Sequence, residues 1–216
     1  MRKIGIFGGT FDPVHLGHLR PALEIRDALS LDEVRFIPAG CPPHRHAPVA
    51  PARLRLALLE AALAGVDGFR LDEREIGKTT PCYTVDTLAE LRREFPRDAL
   101  YLMVGMDAFL GFPGWHDWQR VFELAHVVVA HRPGWVMQVR GALHEALAAR
   151  RAEAPESLAG TQDGRILLQP VTQLEISASR VRACLAGGGD PRYLVPEPVR
   201  ELLLESNAYA NCKETG

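Results

Sequence analysis

The chain has 216 residues, 47% of them apolar and 24% charged, with a formal net charge of −2, a pI near 6.4 and a mean hydropathy of −0.06. That size and balance suit one well-filled α/β core and exclude a disordered or fibrous chain, so residues 1–216 are expected to form a single domain. Mild acidity gives no general reason for nucleic-acid binding, no apolar run nears the roughly 20 residues of a membrane span, and no signal-peptide h-region precedes the first strand; a cytoplasmic protein without nucleic-acid or membrane partners is expected.

The first apolar run, Ile4 to Phe7, marks a strand from Lys3 to Phe7, and the string GGTFDPVHLGH from Gly8 to His18 follows it directly. An amphipathic stretch then ends near Leu29, so the order is strand, glycine turn, helix. Glycine turns let backbone N–H groups approach an anion, and a helix N-terminus adds unpaired donors and partial positive charge; this segment suits phosphate. His15 and His18, three residues apart, share one helical face and can reach one group. Two histidines alone could serve simply to cap the helix, whereas the flanking glycines and the FDP step favour phosphate chemistry. Gly5, Gly8 and Gly9 do not give the G-x-G-x-x-G spacing, and the earlier glycine that a Walker motif ending in Gly77, Lys78 and Thr79 requires would fall on Asp72.

A second strand covers Val34 to Ile37, followed by a proline-rich segment, Pro38 to Pro51, carrying Cys41, His44, Arg45 and His46, which reads as a stiff exposed loop. Leu54, Leu58, Leu59 and Leu63 mark a helical face, Phe69 to Leu71 a third strand, and Val85, Leu88, Leu91 and Phe95 another helix for which Thr84 is a suitable N-cap. Strands at Leu100–Val104, Val127–Ala130 and Ile166–Leu168 continue the alternation, with an Ala- and Arg-rich surface helix expected from Gln138 to Ala154 and a polar linker after it. Ser177 or Ser179 can cap a further helix, and Gly187 to Gly189 end it; the tail from Cys212 is expected to fray. The alternation predicts α/β architecture: a doubly wound parallel sheet, with ligands beyond the carboxyl ends of its strands.

The four cysteines are scattered and read as reduced thiols. A metal site would have to draw on His15, His18, His44 and His46 with Asp12 or Cys41, and none is assigned. His144 and Glu145 begin an HExxH pattern that fails at Ala148.

The string GGTFDPVHLGH carries the HxGH signature of the nucleotidyltransferase superfamily and resembles the bacterial nicotinic acid mononucleotide adenylyltransferases. Four further segments resemble the same family: PPHR from Pro42, where the family has PPHK; YTVDTL from Tyr83; VGMDAFLGFPGWHDW from Val104; and ISASRVR from Ile176, where the family has ISSTxIR. Arg45 in place of lysine keeps the charge but exchanges a compact point for a planar fork. The resemblance implies a Rossmann-like nucleotidyltransferase fold with a small C-terminal helical region. It also implies transfer of AMP from ATP to nicotinate mononucleotide, giving deamido-NAD and pyrophosphate, with Mg²⁺ accompanying ATP.

On this reading His15 and His18 are catalytic. Gly8, Gly9, Thr10, Phe11, His15, His18, Asp107, Ser177, Ser179 and Arg182 bind ATP, and His44, Arg45, Tyr83, Thr84 and Trp115 bind nicotinate mononucleotide. The histidines and Arg182 supply the cations, Trp115 stacks on the pyridine ring, and Trp118 fills the core. Donors near Thr84 meet a carboxylate with no competing acid nearby except Asp86. A sister adenylyltransferase for nicotinamide mononucleotide or phosphopantetheine, and a non-catalytic nucleotide sensor, are the alternatives; the chain is also compatible with a homo-oligomer.

Overall fold

The computed structural model describes residues 1–41, 47–132, 139–172 and 174–210. Its strands are β1 (Lys3–Gly9), β2 (Glu33–Pro38), β3 (Phe69–Leu71), β4 (Ala99–Gly105), β5 (His126–His131), β6 (Arg151–Ala152) and β7 (Ile166–Pro170). The helices are α1 (Leu16–Leu29), α2 (Ala52–Leu63), α3 (Thr84–Glu94), α4 (Met106–Leu110), α5 (Gly141–Arg150), α6 (Ala178–Ala186) and α7 (Glu197–Ser206). The strands form one sheet in the order β3-β2-β1-β4-β5-β7-β6, and every pairing in it is parallel.

Strands covered on both faces need apolar residues at every position, and β4 is buried from Ala99 to Val104. Side-chain alternation divides it between two cores. Leu100, Leu102 and Val104 join Ile4, Ile6, Val85, Leu88 and Leu91 on one face, while Tyr101 and Met103 join Ile25, Leu58, Leu59, Val199 and Leu203 on the other. Helix α3 therefore covers one face and α1, α2 and α7 the other, as a doubly wound sheet requires. Strand order reverses between β1 and β4, and the crevice at such a switch point is where this architecture binds ligands.

The Ala- and Arg-rich segment departs from the expected single helix. Helix α5 stops at Arg150, and Arg151 and Ala152 become the edge strand β6, paired with Ile166 and Leu167 of β7. Two residues carry no readable periodicity; the unpaired edge of β7 selects their conformation. The helix is also no mere surface element, since Leu143 and Leu147 are buried. Gln138 lies outside the described residues. No helix among the described residues is long and apolar enough to cross a membrane, and Cys41, Cys82 and Cys184 are free thiols.

Candidate active site

Beyond β1 the chain turns sharply. Phe11 adopts φ +47°, a left-handed conformation unusual for a bulky residue. Packing holds it there: its ring is 1% exposed and sits edge-on to Phe7 at 5.7 Å and to His18 at 5.2 Å. The carbonyl of Thr10 accepts from Nη1 of Arg55, a fully buried α2 residue, at 2.7 Å. Because the Thr10–Phe11 peptide is trans, the N–H of Phe11 faces away from Arg55. Gly8 and Gly9, expected to form the turn, are instead the last residues of β1, and a Cβ placed on Gly8 would meet nothing within 4 Å, so the strand end opens onto free space.

Helix α1 begins at this turn with His15 as N-cap. The rings of His15 and His18 stack with centroids 3.7 Å apart, and the His15 N–H donates to His18 Nδ1 at 3.3 Å. A neutral His18 therefore carries its proton on Nε2. His15 is buried, its Nδ1 has no hydrogen-bond partner among the described residues, and desolvation lowers its pKa to about 4. It is consequently a neutral imidazole at pH 7, which corrects the expectation of a second histidine cation. Gly17 makes this geometry possible: a Cβ there would lie 2.8 Å from the Ile176 carbonyl and 2.9 Å from His15 Nδ1.

The start of α6 closes against the same turn. Ser177, not Ser179, caps the helix by accepting from the Arg180 N–H at 3.2 Å. Ser179 Oγ instead accepts from Arg182 Nη2 at 3.2 Å, and Arg182 Nη1 donates to the Asp12 carbonyl at 2.8 Å. Asp12 is itself buried. Its Oδ1 accepts from the Tyr209 hydroxyl at 2.6 Å and from the Ala50 N–H at 3.0 Å, and its Oδ2 from the Val49 N–H at 2.7 Å. The end of the segment expected to be an exposed loop is thus pinned to the turn, with Ala50 buried. His44 and Arg45 lie outside the described residues.

A cavity of about 320 Å³ opens at the carboxyl ends of β1 and β4, and Gly8, Gly9, Thr10, Tyr83, Thr84, Asp107 and Trp115 all line it. Asp107 thereby shares a wall with the residues expected to meet the acceptor as well as with the glycine turn. Tyr83 is the N-cap of α3 and Thr84 its first residue, without a side-chain cap bond, so the expected cap is displaced by one residue. Trp115 is half-buried against Phe112, with ring centroids 4.5 Å apart, and still reaches the cavity; Trp118, also half-buried, meets Phe122 edge-on at 5.9 Å.

Glu75, Cys82, Thr87 and His116 also line the cavity and were not expected. Glu75 corrects the expectation that Asp86 is the only acid nearby. Its carboxyl accepts from Thr87 Oγ1 at 2.6 Å, and burial pushes its pKa up. In sequence Glu75 is one acid in a charged run, indistinguishable from its solvated neighbours. An adjoining cavity of about 280 Å³ is lined by His18, Gly17, Gly105 and Arg132 and shares Met103 and Val104 with the first. No group of three or more His, Cys, Asp or Glu able to hold a metal occurs among the described residues.

The cytidylyltransferase-like family profile matches residues 6–184. Over 213 residues the chain is 51% identical to a probable nicotinate-nucleotide adenylyltransferase of Halorhodospira halophila, covering 97% of this chain and 96% of that protein. A probable nicotinate-nucleotide adenylyltransferase of Aeromonas hydrophila is 47% identical over 206 residues, covering 95% and 96%. The chain belongs to the nicotinate-nucleotide adenylyltransferase family. A solved structure of Plasmodium falciparum nicotinic acid mononucleotide adenylyltransferase complexed with NaAD matches with a TM-score of 0.73 at 16% identity, covering 98% of this chain and 99% of that one. A putative nicotinate-nucleotide adenylyltransferase from Vibrio parahaemolyticus gives a TM-score of 0.66 at 18% identity, covering 98% of both chains. At such identities the likeness is one of fold, and it agrees with the Rossmann-like sheet of this family member.

Proposed function

We propose that the chain transfers AMP from ATP to nicotinate mononucleotide, releasing pyrophosphate and forming deamido-NAD, in NAD biosynthesis. The observation that carries this reading is the junction of two cavities at the β1/β4 switch point. His18 lines one of them, the glycine turn, Thr84 and Trp115 line the other, and Arg182 is tied to the turn through Asp12. ATP extends along the glycine turn with its phosphates toward His15, His18 and Arg182, and the acceptor ring lies between Tyr83, Thr84 and Trp115. Gly8, Gly9, Thr10 and Phe11 form the cradle, Ser177 and Ser179 shape the α6 end, Asp107 binds ribose hydroxyls, and His44 and Arg45 contact the acceptor.

The acceptor's own 5′-phosphate oxygen, ionised near neutral pH, attacks the α-phosphorus, and the bond to the bridging oxygen of the departing pyrophosphate breaks. No strong general base is required. The chain's task is to align two polyanions and to stabilise charge that moves toward the β-phosphate. His18 Nε2–H donates to the α-phosphate, His15 contributes a neutral ring that orients His18 by stacking, and Arg182 contributes the cation. Mg²⁺ bound with ATP would supply further charge neutralisation on the triphosphate. Phosphate oxygens and water would be its main ligands, with Asp107 on the cavity wall as a carboxylate able to assist. The protein acts in the cytoplasm as a single-domain subunit, without nucleic-acid or membrane partners.

Glu75 favours a second reading on one point. An ionised Glu75 would accept from the NH₂ of nicotinamide mononucleotide, whereas a protonated one donates to a nicotinate carboxylate. Burial pushes the Glu75 pKa up, and its Oε1 already accepts from Thr87 Oγ1 at 2.6 Å. The test is ATP-dependent pyrophosphate release over a panel of acceptor mononucleotides. A preference for nicotinate of several powers of ten is expected, and equal use of both pyridine nucleotides refutes the carboxylate assignment.

A further inference from the structure

Tyr209 lies beyond α7, nearly 200 residues from the phosphate turn in sequence, yet its hydroxyl sits 2.6 Å from Asp12 Oδ1 and its side chain is fully buried. Burial beside the Asp12 carboxylate raises the phenol far above its usual range, so it is always a neutral donor. With the Val49 and Ala50 N–H groups, it gives Asp12 three neutral donors. Two guanidiniums stand nearby, Arg55 beneath Thr10 and Arg182 on the Asp12 carbonyl. Neither forms an ion pair with the Asp12 carboxylate among the described residues. Asp12 thus carries one negative charge beside two positive ones and holds Arg182 by its main chain only. That arrangement leaves a net positive charge and unspent Arg182 donors for an anion.

We propose that Tyr209 is a positioning residue for ATP: by occupying Asp12 Oδ1 with a neutral donor, it prevents that carboxylate from capturing Arg182 and keeps the guanidinium available to the triphosphate. The proposal rests on the assignment of ATP to this turn. A buried carboxylate that loses a donor seeks another, and Arg182 is already hydrogen-bonded to the same residue. Tyr209→Phe removes only the hydroxyl. It is expected to weaken ATP binding about tenfold, seen as a rise in both Kd and KM for ATP with a smaller change in kcat.

Adding Asp12→Asn to Tyr209→Phe removes the competing charge and is expected to restore most of the ATP affinity, even though a second buried bond is altered. A merely structural Tyr209 predicts the opposite, a double variant at least as impaired as Tyr209→Phe. Calorimetric titration of ATP into wild type and both variants, with thermal melting alongside, makes the distinction. Unchanged ATP affinity in Tyr209→Phe, or no recovery in the double variant, overturns the proposal. Wild type that binds ATP but does not use nicotinate mononucleotide refutes the acceptor assignment alone, and wild type without ATP affinity refutes both.

Discussion

Gly17→Ala tests whether the closeness of α1 to the chain entering α6 builds the site. The new Cβ would stand 2.8 Å from the Ile176 carbonyl and 2.9 Å from His15 Nδ1, where ordinary contact begins at 3.4 Å, so its neighbours must yield by roughly half an ångström. Overpacking of this kind costs about 1–3 kcal/mol, and alanine in a helix returns about 1 kcal/mol, leaving a net destabilisation of about 1 kcal/mol. The catalytic effect is expected to be larger relative to that change. If His15 yields, its stacking on His18 is lost; if Ile176 yields, the Ser177 cap and Arg182 move with it. A displacement of 1 Å can cost on the order of a hundredfold in rate, so half of that predicts about a tenfold loss. Urea unfolding gives the first quantity and steady-state kinetics the second, with kcat reporting the His15 route and KM for ATP the Ile176 route. A variant as stable and as active as wild type would show that the contact is not needed, and the reasoning fails.

His18→Ala is expected to lower kcat by roughly a hundred- to a thousandfold with a smaller change in ATP affinity, as for loss of one transition-state donor; near-normal turnover in the folded variant leaves His18 a binding role only. Trp115→Ala should weaken the acceptor by about 1–3 kcal/mol while ATP binding is kept, and an unaffected acceptor KM assigns the ring to the core instead. Because burial lowers His15 from 6.5 to about 4, the unfolded chain takes up a proton in that interval that the folded chain does not. Stability should therefore be complete above that window and fall as pH drops through it, by up to about 3 kcal/mol. Unfolding free energies measured from pH 4 to 7 should show a shallower slope for His15→Gln, and identical slopes would contradict a neutral buried His15.

Local signals in the sequence determined much of the fold. Ile4–Phe7 and Leu100–Val104 carry no charge at any position, as a strand covered on both faces demands, and GGTFDPVHLGH announces a turn and a helix start, although Gly8 and Gly9 themselves complete β1 and the turn follows them. Strand existence, the α1 boundary at Leu29 and the doubly wound class follow from such short-range regularities. The two-residue strand β6 does not, because the open edge of β7 and not its own residues selects it.

The tertiary structure decided which residues meet. Tyr209 and Arg182 reach Asp12 across 197 and 170 residues, and no periodicity encodes such a pairing. Glu75 enters the cavity from a run of charges that looks solvated, and Arg55 goes beneath Thr10 from a helix whose stripe predicts only leucines inside. The neutral state of His15 is also a tertiary property. Desolvation sets it, and desolvation depends on how the rest of the chain packs around the ring.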